Sequence, residues 1–184
     1  MSKRHIVAFD TETSGLLKPE ENDMDQQPYI FEFAALKFDE DGNELDSINM
    51  YINPGIEVPA VITKITGIKN DTLAGKPSFV GYYKQIADFF VGVHILTAHN
   101  LAFDREMLAN ELIRIDQILK FPWPPTQICT VREAKKVYGY RLNLTNLHKE
   151  LFGTEFKDAH TAMADVLAQK KCFLEMVKQG IIKL

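Results

Sequence analysis

The sequence predicts an α/β fold, a mixed sheet flanked by helices. Three observations predict it. The first fifty residues hold three strand-like segments split by turn-forming residues. After them the apolar period changes from two to nearly four, and helical and strand-like segments alternate. From Val131 onward the segments are helical, and two of them end at glycines.

The elements follow in order. "HIVAFDTE" opens on the apolar run Ile6 to Phe9 and reads as a buried strand. "YIFEFAALKF" and "SINMYINP" are the next two, separated by the turn residues of "DEDGNE", so the three form an antiparallel meander. Between the first two lies the stretch Leu16 to Pro28. It is polar, acidic and proline-bounded, and reads as a mobile surface loop. "VPAVITKITGI" is a short helix ended by Gly67. "KPSFVGYYKQIADFFVG" sets Phe79, Tyr83, Ile86 and Phe90 at helical spacing. "HILTAHN" is a buried strand, "LAFDREMLANELIRI" a helix and "TQICT" a short strand. Helices follow at "VREAKKVYG", "LTNLHKELFG" and "HTAMADVLAQKKCFLEMV". The 184 residues, free of repeats and linkers, read as one domain, 1–184.

Composition excludes several classes. Hydrophobic content of 46% and charged content of 25% are ordinary globular values. No apolar run is long enough to cross a bilayer, and the first acid arrives too soon for a signal peptide. The expected compartment is cytoplasmic. Cys129 and Cys172 have no metal-ligand spacing and read as free thiols. The net charge of −4 means that any nucleic acid is met locally or through bound cations.

The chemistry lies in the acids. Asp10 and Glu12 are two apart at the end of a strand, so both point to one face. Alone, this pair is equally a strand end with a solvated glutamate. On the next helix Asp104 falls inside the apolar stripe of Leu101, Leu108, Leu112 and Ile115. A buried carboxylate needs compensation, from a loop amide or from a cation. His160 and Asp165 are five apart, which is about 140° on an ideal helix. Both reach one site only if His160 lies at the helix mouth. Four clustered acids repel unless positive charge joins them, and oxygen-only ligands select hard cations such as Mg²⁺ or Mn²⁺. Two such ions would satisfy the set of Asp10, Glu12, Asp104 and Asp165, leaving His160 free to act as general base.

"FDTETSG", "AHNLAFD" and "AHTAMAD" resemble, in order, the three motifs of the DnaQ-like, or DEDDh, 3′–5′ exonucleases. "VPAVITKITGIKNDTLAGKPSF" and "IFEFAALKF", with Glu32, are also similar to that family, so the likeness covers nearly the whole chain. The resemblance implies a ribonuclease H-like, mixed five-stranded sheet. It implies Asp10, Glu12, Asp104 and Asp165 as ligands of two divalent ions and His160, rather than a tyrosine, as base. It further implies that the backbone at Thr13 meets the terminal 3′-hydroxyl, that Leu16 wedges against the terminal bases, and that His99, Asn100 and Phe103 shape the nucleotide pocket. The expected substrate is a single-stranded or frayed 3′ end of DNA, with RNA trimming, an inactive adaptor and a small-phosphate phosphodiesterase as alternatives. A DNA polymerase is an expected class of partner, although the sequence ends at Leu184 without a tail of the kind that tethers a proofreading subunit.

Overall fold

The computed structural model describes residues 3–157 and 161–184. In chain order its elements are β1 (His5–Thr13), β2 (Ile30–Asp39), β3 (Glu44–Tyr51), α1 (Ala60–Thr66), α2 (Asn70–Leu73), α3 (Phe79–Phe90), β4 (Ile95–Ala98), α4 (Leu101–Arg114), β5 (Thr126–Cys129), α5 (Thr130–Tyr138), α6 (Leu144–Phe152) and α7 (Ala162–Lys178). The strands form one five-stranded sheet in the order β3-β2-β1-β4-β5. β1 to β3 are antiparallel, and β1, β4 and β5 run parallel. The mixed sheet flanked by helices is therefore the observed architecture.

The apolar run in β1 is continuous because both faces of the sheet are covered. Val7 and Phe9 point into a core completed by Phe33, Ile86, Phe90, Leu108 and Leu112, from β2, α3 and α4. Ile6 and Ala8 point the other way, against Ala34, Phe38, Leu147, Val166 and Phe173, from β2, α6 and α7. Alternation thus sorts the strand between two layers. It also carries Asp10 and Glu12, which share the parity of Ile6 and Ala8, toward α7.

Two departures from expectation have clear causes. α2 is four residues long, too short to show any period. The acidic stretch from Leu16 to Pro28 is pinned rather than loose. Ser14 N–H donates to the Tyr29 carbonyl at 2.9 Å and closes the mouth of the loop. The guanidinium of Arg114, on α4, donates to the carbonyls of Met24, Gln27 and Pro28 at 2.7, 2.9 and 3.0 Å and stacks 3.8 Å from the centre of the Tyr29 ring. The buried amide of Gln27 donates to the carbonyls of Lys18 and Glu21. Buried carbonyls need donors, and these two side chains supply them. No helix among the described residues is long and apolar enough to cross a membrane.

Candidate active site

β1 runs antiparallel to β2 along its whole length, with Asp10 opposite Ala34 and Glu12 opposite Glu32. The register then skips Phe31, so that Thr13 faces Ile30. Such a bulge re-aims the side chains beside it. Like charges placed opposite each other destabilise a sheet, yet here Glu12 and Glu32 are neighbours at a place where α7 also delivers Asp165 from its first turn. Ligand oxygens of Asp10, Glu12 and Asp165 lie within 4.8 Å of one another.

Asp104 arrives from the opposite layer. It is 3% exposed in the first turn of α4, and one of its oxygens accepts both the Thr11 amide, at 3.1 Å, and the Thr11 hydroxyl, at 2.9 Å. Thr11 has the parity of Phe9, so it faces α4 while its neighbours on either side face α7. Asp104 is therefore bonded to the strand beside the three-acid group and still within range to repel it.

The electrostatics record this crowding. Burial, then the charges of Asp104, Asp165, Glu12 and Glu32, push Asp10 well above the ordinary carboxylate range. Glu12 is pushed up to about 8 by burial and then by Asp165, Glu32 and Asp104. Burial raises Asp104 to about 7 against the lowering effect of the Thr11 bonds. Glu32, 2% exposed, is also raised by burial, although the Ala162 amide and the Asn49 side chain donate to it and oppose the shift. Among the described residues, nothing donates a hydrogen bond to the carboxylates of Asp10 or Glu12. An all-oxygen group of acids, held together at this cost, fits a divalent cation.

The other expected residues are placed as follows. Thr13 is buried, and its hydroxyl donates to the Gly15 carbonyl at 2.8 Å. Leu16 is 81% exposed just past the end of β1, whereas Leu17 packs on the core. Asn100 takes the left-handed conformation, φ 77°, before the first turn of α4. Phe103 packs against the core from that turn. His99 follows β4; its Nε2 lies 3.2 Å from the Leu142 carbonyl and its Nδ1 3.0 Å from the Thr130 hydroxyl. Because a carbonyl only accepts, Nε2 carries the proton. Burial pushes the His99 imidazole down to about 4, so it is neutral at physiological pH. His160, the expected base, lies outside the described residues. Glu32 is the member of the site that residue-by-residue reading missed. Only its place in "IFEFAALKF" pointed to it.

Comparison with known proteins agrees with this geometry. Residues 7–173 match the exonuclease family model RNase T. The chain is 31% identical over 176 residues to the DNA polymerase III subunit epsilon of Treponema pallidum, covering 94% of this chain and 76% of that one. It is 31% identical over 166 residues to the PolC-type DNA polymerase III of Clostridium perfringens, covering 88% of this chain and 10% of that one. Against the 3′–5′ exonuclease DinG of Bacillus subtilis, identity is 27% and the shares are 97% and 18%. The chain thus spans between a tenth and a fifth of the last two relatives. Among solved structures, the nuclease domain of 3′hExo, a DEDDh family member bound to rAMP, superposes with a TM-score of 0.76 at 18% identity, covering 97% of this chain and 94% of that one. The complex of Escherichia coli ExoI with single-stranded DNA gives 0.75 at 21% identity, with shares of 97% and 41%. At these identities the likeness is one of fold.

Proposed function

The chain belongs to the DnaQ-like, DEDDh-type exonuclease family, and from that membership we propose that it hydrolyses the terminal phosphodiester at single-stranded or frayed 3′ ends of DNA, releasing nucleoside monophosphates. The observation that carries this is the convergence of Asp10, Glu12 and Asp165 on one point, with Asp104 alongside. The reading treats 1–184 as one exonuclease domain.

Asp10, Glu12, Asp104 and Asp165 would hold two divalent ions, Mg²⁺ or Mn²⁺. When bound, such ions lower the pKa of water and stabilise charge on the leaving oxygen. The rest is the work of the chain. The β1–β2 ladder fixes Asp10 and Glu12 as a rigid pair. Thr11 holds Asp104 in one orientation through two hydrogen bonds. His160 directly precedes Thr161, which holds the N-cap position of α7, and Asp165 stands in that helix's first turn. We assign His160 the proton of the attacking water, a role worth roughly 10²–10⁴-fold. Leu16 presents an apolar side chain to solvent just past the strand end, in keeping with a wedge between terminal bases. The backbone at Thr13 is assigned to the terminal 3′-hydroxyl, and His99, Asn100 and Phe103 to the walls of the nucleotide pocket.

A second reading, trimming of RNA, is favoured by the fold shared with an exonuclease bound to rAMP. One assay tests both. Purified protein is given 5′-end-labelled single strands of DNA and of RNA with Mg²⁺ or Mn²⁺. A ladder shortening from the 3′ end is expected, faster for DNA and abolished by EDTA. Full activity in EDTA, or cuts inside a circular single strand, would overturn the proposal.

A further inference from the structure

The first three turns of α4 divide the surface beside the acids into two unlike sides. On one side, Glu106 and Asn110 face the pinned loop across a cleft lined also by Lys18, Glu21 and Gln27. That loop carries Glu20, Glu21, Asp23 and Asp25 against Lys18. On the other side is a cleft of about 350 Å³ lined by Leu101, Ala102, Arg105, Glu106, Gln127, Cys129 and Arg132. Its volume is at the lower end of the roughly 300–1,000 Å³ typical of small-ligand sites.

The second cleft has the character of an anion site. Two guanidinium groups line it against one carboxylate, Glu106. The Arg105 guanidinium is held 4.9 Å from the centre of the Trp123 ring, and its Nε is buried with no hydrogen-bond partner among the described residues. That Nε is closed off from the cleft, so an anion would be met by the terminal nitrogens of the group. Stacking on an aromatic face also leaves the edge of a guanidinium free for bidentate contact. Arg132 is exposed in the first turn of α5, directly after β5.

The cleft is also in the right place. β1, β4 and β5 are parallel, so the carboxyl ends of all three open on the same edge of the sheet. Asp10 and Glu12 lie near that end of β1, and Cys129 is the last residue of β5. Asp104 and Arg105 are adjacent on α4 and face different neighbours.

We propose that the Arg105–Arg132 cleft is a subsite that seats a backbone phosphate of the single strand upstream of the scissile bond. It thereby directs the strand over β5 and α5, away from the acidic loop. This rests on the exonuclease reading for the identity of the strand. A chain of net charge −4 must concentrate its attraction for phosphates somewhere, and this cleft does so next to the cluster.

Binding is measured first, without turnover. Anisotropy of a labelled oligothymidylate of about ten nucleotides is followed in EDTA for wild type, Arg132→Gln, Arg105→Gln, Arg105→Lys and the double Gln variant, with melting curves alongside. Each Gln substitution should weaken binding about five- to tenfold. The double Gln variant should also reduce the slope of log affinity against log salt by about 0.7, the loss of one single-strand phosphate contact. Arg105→Lys should recover part of the loss. Arg132→Gln, on an exposed side chain, should melt with wild type. Turnover is then compared, in Mn²⁺, on the same oligonucleotide and on the p-nitrophenyl ester of thymidine 5′-monophosphate, which has no upstream phosphate. KM should rise for the oligonucleotide alone, with kcat nearly unchanged. Unaltered oligonucleotide binding in Arg132→Gln and in the double variant overturns the subsite. So does an equal loss on the ester. Arginine-dependent binding by a wild type that cleaves neither substrate would instead uphold the cleft and refute the nuclease reading.

Discussion

Replacing Glu12 with Gln should stabilise the metal-free chain at pH 8 while abolishing hydrolysis. Burial and three neighbouring acids push the Glu12 carboxyl up to about 8 in the fold, against 4.5 for an unperturbed glutamate. A carboxyl raised in this way keeps its proton more firmly in the folded state. Its cost to stability is therefore absent below the unfolded value and grows as pH rises from about 4.5 to about 8. At about 1.4 kcal/mol for each tenfold change in proton affinity, the full cost at pH 8 is about 4 kcal/mol. Glu12 is not fully enclosed, and relaxation and solvent screening reduce the effect to about 2 kcal/mol. Urea unfolding in EDTA measures it. Glu12→Gln should exceed wild type by about 2 kcal/mol at pH 8 and by little at pH 5. His99, held near about 4, makes the fold lose stability as pH falls below 6.5, but equally in both proteins, so it cancels in the difference. Saturating Mg²⁺ should close the gap by stabilising wild type alone. A variant no more stable than wild type at pH 8 in EDTA would refute the crowding argument.

Three further outcomes follow. Calorimetry at pH 7 in buffers of different ionisation enthalpy should show Mg²⁺ or Mn²⁺ binding with release of protons, since Asp10, Glu12 and Asp104 all hold theirs too firmly; Asp10→Ala should bind much more weakly. His160→Ala should lose roughly 10²-fold or more in turnover while melting and binding oligonucleotide like wild type, and wild-type rates should rise from acid into mildly alkaline pH; near-normal turnover would mean another base. Arg114→Ala strands the Met24, Gln27 and Pro28 carbonyls and leaves the 4% exposed Glu111 without its 3.0 Å ion pair; it should cost about 3 kcal/mol and open a proteolytic site between residues 17 and 28.

The sequence carried the sheet and the acid pair because both are local. Four apolar residues in a row suit a short strand covered on both faces, and residues two apart in a strand share a side. Asp104 was legible as an anomaly in an apolar stripe, and of the two forms of compensation considered for it the hydrogen-bonded one is observed, from a strand amide rather than a loop amide. Its entry from the opposite layer depends on Thr11 facing α4, which is a matter of register. The loop misled for a similar reason. Its composition is that of a loose segment, but the guanidinium that ties it down lies 90 residues away from Met24. Nothing in the sequence marks Arg105 out. Only the fold sets it against Trp123, from the connection between α4 and β5.

Hydrogen bonding divides the acids into two kinds. Asp104 has the Thr11 amide and hydroxyl, and Glu32 has the Ala162 amide and the Asn49 side chain. These two are partly compensated by the protein itself. Glu32 also sits against the N-terminal turn of α7, whose dipole favours negative charge. Asp10 and Glu12 receive no such donors from the described residues, although β1 and β2 could have placed a threonine or an asparagine beside them at no topological cost. A site evolved for stability alone would fill those positions with donors or with apolar side chains. That the described residues offer these two crowded carboxylates no donors makes sense if their lone pairs are kept for an ion. Of the acids compared, Asp10 and Glu12 are thus the ones that the described residues leave most available to an ion.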